Sequence, residues 1–182
     1  MEQVLPGSDP DHPGSDPILE AHELRDCGRA RQARQLLMRL VAYDPRCLDA
    51  HAQLGNQAFP KSAAKPVLNY ETGVVIGRRS LAEGFDGTLP CDVINNRPFL
   101  RCLHGYGLCL WRLGRLDEAA GVCTESLWLN PTNRLCARFL PPQVRAGRKW
   151  RDEGKRKPQR GRWPNFSLCF PFSGSSDGDH EQ

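Results

Sequence analysis

The chain has 182 residues, 39% of them hydrophobic, and a formal net charge of +4 at pH 7. Its mean hydropathy is −0.55, so there is room for one domain of ordinary size together with polar tails. The longest apolar run, around Leu36 to Tyr43, is broken by Arg39 and is too short to cross a bilayer. No basic stretch followed by an apolar core opens the sequence. A secretory signal and a membrane partner are therefore not expected, and the expected location is cytoplasmic.

A short polar unit is duplicated, as Pro6-Gly7-Ser8-Asp9-Pro10 and Pro13-Gly14-Ser15-Asp16-Pro17, and residues 1–16 are expected to be disordered. Asp16-Pro17 reads as cap and first residue of a helix over 17–27. Gly28 then suits a left-handed helix terminus. A second helix over 30–42 carries Ala33, Leu36, Leu37, Leu40 and Val41 at helical spacing, and Asp44-Pro45 stops it. A third covers 48–59. A fourth, over 67–82, is weak by propensity, but Gly73 and Gly77 share one face and would admit a neighbouring backbone. Residues 83–96 form a long loop, after which 98–113 is a strongly patterned helix built on Leu100, Leu103, Gly107 and Leu110. Gly114 closes it. A sixth helix spans 117–129 and a short seventh spans 132–140, ending at Pro141-Pro142.

The helices carry a repeat. Gly28 precedes Pro45 by seventeen residues, and Gly114 precedes Pro131 by the same interval. A small residue follows each glycine by five positions, Ala33 and Ala119. The stretch 100–133, with Leu103, Tyr106-Gly107, Leu110, Gly114, Ala119 and Pro131, resembles the tetratricopeptide repeat, a 34-residue helix-turn-helix unit. His51 stands where that unit usually has an aromatic residue. The resemblance covers roughly 16–140 and implies an all-α fold: a short α-solenoid of about three repeats, at 14–47, 48–99 and 100–133, with a partial capping helix at 132–140. The middle repeat holds 18 extra residues in two inter-helix loops. The run Asn95 to Gly107 is also similar to a stretch in uncharacterised bacterial repeat proteins, which implies no function.

Repeat arrays of this kind bind other proteins. The resemblance implies that first helices line a concave groove for an extended peptide. Here the groove would present Asp49, Asn56 and Phe59, then Arg101, His104, Leu108, Trp111 and Arg112. Ala52 and Gly105 stand where a full carboxylate clamp would need donors. The remaining set suits an acidic or aromatic-containing peptide; alternatively these residues are a solvated face with Trp111 partly buried. The incompletely capped end leaves a homo-oligomer open.

Beyond 141 the composition changes. Residues 145–162 hold nine basic and two acidic side chains, and an aromatic then polar stretch follows to 182. Lys155, Arg156, Lys157, Arg160 and Arg162, flanked by Trp150 and Trp163, suggest a second reading. Cations release counterions from phosphate and indoles stack on bases, so the tail would be a nucleic-acid adaptor or otherwise a solvated extension.

Eight cysteines form no C-x-x-C pair. The economical reading makes most of them small buried hydrophobes; the alternative is a metal or redox site shared by Cys102, His104 and Cys109. No phosphate-binding loop and no G-x-S-x-G nucleophile appear. The chain reads as non-enzymatic, with no cofactor and no metal.

Overall fold

A computed structural model describes residues 16–132, 144 and 146–150. Among these the chain is all-helical, with no strand. The helices are α1 (Pro17–Asp26), α2 (Ala30–Tyr43), α3 (Leu48–Ala58), α4 (Ala64–Arg79), α5 (Arg97–Arg112) and α6 (Leu116–Leu129), with a 3-10 turn at Ile94–Asn96 before α5. The expected helix over 132–140, the segment 1–15 and the tail from 151 lie outside the described residues.

Local chemistry accounts for the boundaries. The Asp16 carboxylate accepts from the Ile18 amide at 2.8 Å, capping α1, with Pro17 in its first turn. Gly28 and Gly114 adopt φ of +76° and +81°, where a Cβ would be strained. The two turns share one hydrogen-bond pattern. The Gly28 amide donates to Arg25 and that of Arg29 to Leu24; the Gly114 amide donates to Trp111 and that of Arg115 to Leu110. Ala33 and Ala119, five residues later, are both fully buried.

α4 departs from expectation. It begins at Ala64 and ends at Arg79 instead of running over 67–82. Pro66 reads as a loop residue, yet it stands in the first turn of α4, where amide hydrogens have no intrahelical acceptor and none is lost. Ser62 Oγ accepts from the Ala64 amide at 3.2 Å.

Each helix packs on the next in sequence, and α3 also packs on α5. One core cluster, with Ile18, Ala21, Leu37, Leu40, Cys47, Ala50 and Leu54, joins α1, α2 and the start of α3. Leu100, Leu103, Leu110 and Leu129 are buried farther along. Between these regions lies a wedge. Tyr70 of α4 is fully buried, its ring crowding Gly55 of α3 and Gly105 of α5. A Cβ at Gly55 would stand 2.5 Å from the ring, and one at Gly105 would stand 2.2 Å from it. The paired glycines of α4 admit neighbours likewise, Gly73 meeting Cys102 and Gly77 meeting the Phe99 ring.

His51, where the resemblance expects an aromatic residue, is buried. Its Nε2 lies 2.8 Å from the Pro45 carbonyl. A carbonyl only accepts, so Nε2 carries the hydrogen and ties α3 to the turn that follows α2.

Candidate functional site

Side-chain contacts link α1 to α3 and α3 to α5 in a row. At the α1 end, His22 Nε2 is 2.8 Å from the Gln53 amide nitrogen, and Arg25 reaches both His22 Nδ1, at 3.0 Å, and the Gln53 oxygen, at 3.4 Å. Between α3 and α5, Arg101 donates to Asp49 at 2.8 Å; the two side chains are 23% and 24% exposed. At that exposure the pair is screened less than a surface pair.

Asn56 accepts from the Tyr70 hydroxyl at 2.6 Å. The phenol is held in its protonated form, because burial pushes its pKa far above the ordinary range. Asn56 is thus an anchor for the wedge. Gly105, which the repeat register puts at a groove position, is covered by the same ring.

The far end of the row is aromatic. Arg112 donates to the Phe59 carbonyl, and its guanidinium lies 5.3 Å from the centroid of the Phe59 ring. A cation over an aromatic face contributes about 0.5–1 kcal/mol when exposed and more when desolvated. Trp111 is buried, 8% exposed, and its indole N–H donates to the Arg148 carbonyl at 2.7 Å. Trp150 packs edge-on against two rings, with centroids 4.9 Å from Trp111 and 5.9 Å from Phe59. Val144 is also buried.

The expected groove therefore differs from an open surface. Arg101 is paired with Asp49, Asn56 is engaged by Tyr70, Arg112 lies on Phe59, and Trp111 is covered by Trp150. The nucleic-acid reading had Trp150 as a flanking indole; its ring instead lies against the helices. Lys155, Arg156, Lys157, Arg160 and Arg162 fall outside the described residues. Tyr70, Gln53, His22 and Trp150 are the participants that spacing did not reveal.

His104 and Leu108 are half-buried on α5. Burial holds the His104 imidazole down to about 4 from its ordinary 6.5. His22 is lowered too, by burial and then by Arg25. Both are neutral at pH 7. An unfolded chain takes up the His104 proton near pH 6.5, whereas the folded chain resists until about pH 4. Stability is thus unaffected by this group above the ordinary value and falls as pH drops through the window. Melting followed by circular dichroism should give a nearly flat transition temperature above pH 7 and a decline from pH 6.5 to 4. His104→Gln should make that decline shallower; an unchanged slope would remove His104 as its source.

Cys47, Cys102, Cys109 and Cys123 are buried, Cys91 is half-buried and Cys27 is exposed. Burial pushes the Cys47 thiol up to about 11 and Cys109 up to about 12, and raises Cys102 still further. These thiols are neutral packing groups at physiological pH. Among the described residues no three His, Cys, Asp or Glu side chains gather as a metal site. No helix among them is long and apolar enough to cross a membrane.

No known protein family matches the chain. No curated protein matches it either.

Proposed function

We propose that the chain is a non-enzymatic scaffold that binds a protein or peptide, built as a short solenoid of three tetratricopeptide-like repeats. The two identically bonded glycine turns and the stacking of each helix on the next support the repeat reading. One observation carries the binding reading. The first-helix face already grips a non-helical stretch of polypeptide, residues 148–150, through a main-chain carbonyl and an aromatic side chain. Holding a carbonyl by a fixed indole N–H while a ring enters an aromatic notch is how a groove reads an extended peptide. The arginines expected to favour acidic ligands are already engaged within the face, so the aromatic component of the ligand gains weight.

Leu108→Glu introduces a charge on the half-buried part of this face. Affinity capture followed by mass spectrometry should lose the protein partner with Leu108→Glu while helicity by circular dichroism is retained. Equal recovery by both proteins would sink the reading. Replacing Lys155, Arg156, Lys157, Arg160 and Arg162 with glutamine should leave that capture unchanged. If it instead abolishes a salt-sensitive association with RNA or DNA, the nucleic-acid adaptor is the better description.

A further inference from the structure

The seat around Trp111 is already filled by the chain itself. Its walls come from two helices and their ends: Trp111 and Arg112 from α5, and Phe59 from the residue that caps α3. The segment resting there has no helical or strand pairing at 148–150. Side chains hold it: the Trp111 indole N–H on the Arg148 carbonyl, and the Trp150 ring edge-on to Trp111 and Phe59. The side chains of Arg148 and Lys149 are exposed. What the seat reads is therefore a ring and the carbonyl two residues before it, and not the charges between them.

Such a contact has two properties. It is specific, since edge-to-face geometry on two rings and a hydrogen bond fix both the register and the direction of the segment. It is also replaceable, since none of its elements is peculiar to this segment. Any extended peptide with an aromatic side chain and a free carbonyl two residues earlier presents the same groups. The tethered copy has the advantage of proximity, because its binding is intramolecular. A free peptide must overcome that occupancy, and its apparent affinity is its intrinsic affinity multiplied by the fraction of time the seat is empty.

We propose that Trp150 is a built-in occupant of the peptide seat, and that the partner is an extended peptide whose aromatic side chain displaces it. The proposal rests on the peptide-binding reading and specifies its ligand: an aromatic ring, with the Trp111 N–H on the carbonyl two residues upstream. Charge on the ligand is secondary. Trp150 then regulates access, keeping Trp111 and Phe59 covered until a better-fitting ring arrives.

The test uses the full chain as wild type, Trp150→Ala and Trp150→Phe. The probe is a labelled pentapeptide with the sequence of residues 146–150, Ala-Gly-Arg-Lys-Trp, acetylated and amidated. Binding is followed by anisotropy and by chemical-shift changes of the indole N–H signals. Trp150→Ala should bind the probe at least about tenfold more tightly than wild type, since its seat is empty. Trp150→Phe should behave like wild type, because the ring is retained. A probe with alanine in place of tryptophan should not compete. Equal binding to wild type and Trp150→Ala overturns the proposal, as does no binding to Trp150→Ala while its circular dichroism is native. Sedimentation supplies a further check. A wild-type dimer that Trp150→Ala converts to monomer means that the ring comes from a second copy, which also overturns it. If these results go against Trp150 while partner capture still depends on Leu108, the scaffold reading survives alone. If capture is indifferent to Leu108, the scaffold reading itself fails.

Discussion

Alanine in place of Gly105 should destabilise the protein by about 2 kcal/mol, although alanine is the better helix former by about 1 kcal/mol. The reason is the wedge. A methyl group there would lie 2.2 Å from the Tyr70 ring, well inside contact distance. The ring has little room to retreat, because Gly55 crowds it and Asn56 holds its hydroxyl at 2.6 Å. Overpacking of this kind typically costs about 1–3 kcal/mol after relaxation. Urea denaturation of wild type and Gly105→Ala measures it directly. Tyr70→Leu makes the explanation testable. Alone it loses packing and a hydrogen bond, but combined with Gly105→Ala it relieves the clash, so the double variant should be more stable than the sum of the single losses predicts. Additive losses would mean that the methyl group collides with something other than Tyr70. An unchanged midpoint for Gly105→Ala would refute the wedge as a tight contact.

Reversing the charge of Arg101 is the second large effect. Arg101→Glu replaces the 2.8 Å ion pair with Asp49 by two carboxylates on adjacent helices. Both side chains are less than a quarter exposed, which makes the loss larger than the 0–1 kcal/mol or so of surface pairs and smaller than the roughly 3–5 kcal/mol of a broken buried pair. About 2 kcal/mol is expected, and Arg101→Glu with Asp49→Arg should recover most of it. Failure of the swap to recover stability would show that the pair contributes through packing and not through charge. The same pair bears on tests of binding. A charge reversal at Arg101, the natural first choice from sequence, would weaken the fold as well as any ligand contact, whereas Leu108→Glu acts on the face with no ion pair to break.

Much of the helical order is readable along the chain. Glycine and proline punctuate it where the physics is local: Gly28 and Gly114 at positive φ, Asp16 as a cap, and Pro45 and Pro131 just after α2 and α6. The single large boundary shift, in α4, arises because proline stops a helix in its interior and is neutral in its first turn. The state of the site was not readable in this way. Arg101 meets Asp49 across 52 positions and Arg112 meets Phe59 across 53. The expected register puts those residues on one face without saying that they satisfy each other. Tyr70 reads as an ordinary core aromatic; the holes that receive it are absences of side chain on two other helices, at Gly55 and Gly105. Trp150 sits in a strongly basic stretch that reads as tail, so its composition hides its contact with Trp111.

The Tyr70 ring also has a consequence for how the stacked helices come apart. A linear stack whose units meet only along flat faces peels from its ends, one unit at a time. Here one side chain of α4 is pinned between α3 and α5, so neither partner separates without withdrawing the ring and breaking its bond to Asn56. The three helices are thereby locked into one cooperative block, to which α2 is tied through the core it shares with α3, while α1 at one end and α6 at the other remain the parts free to fray first.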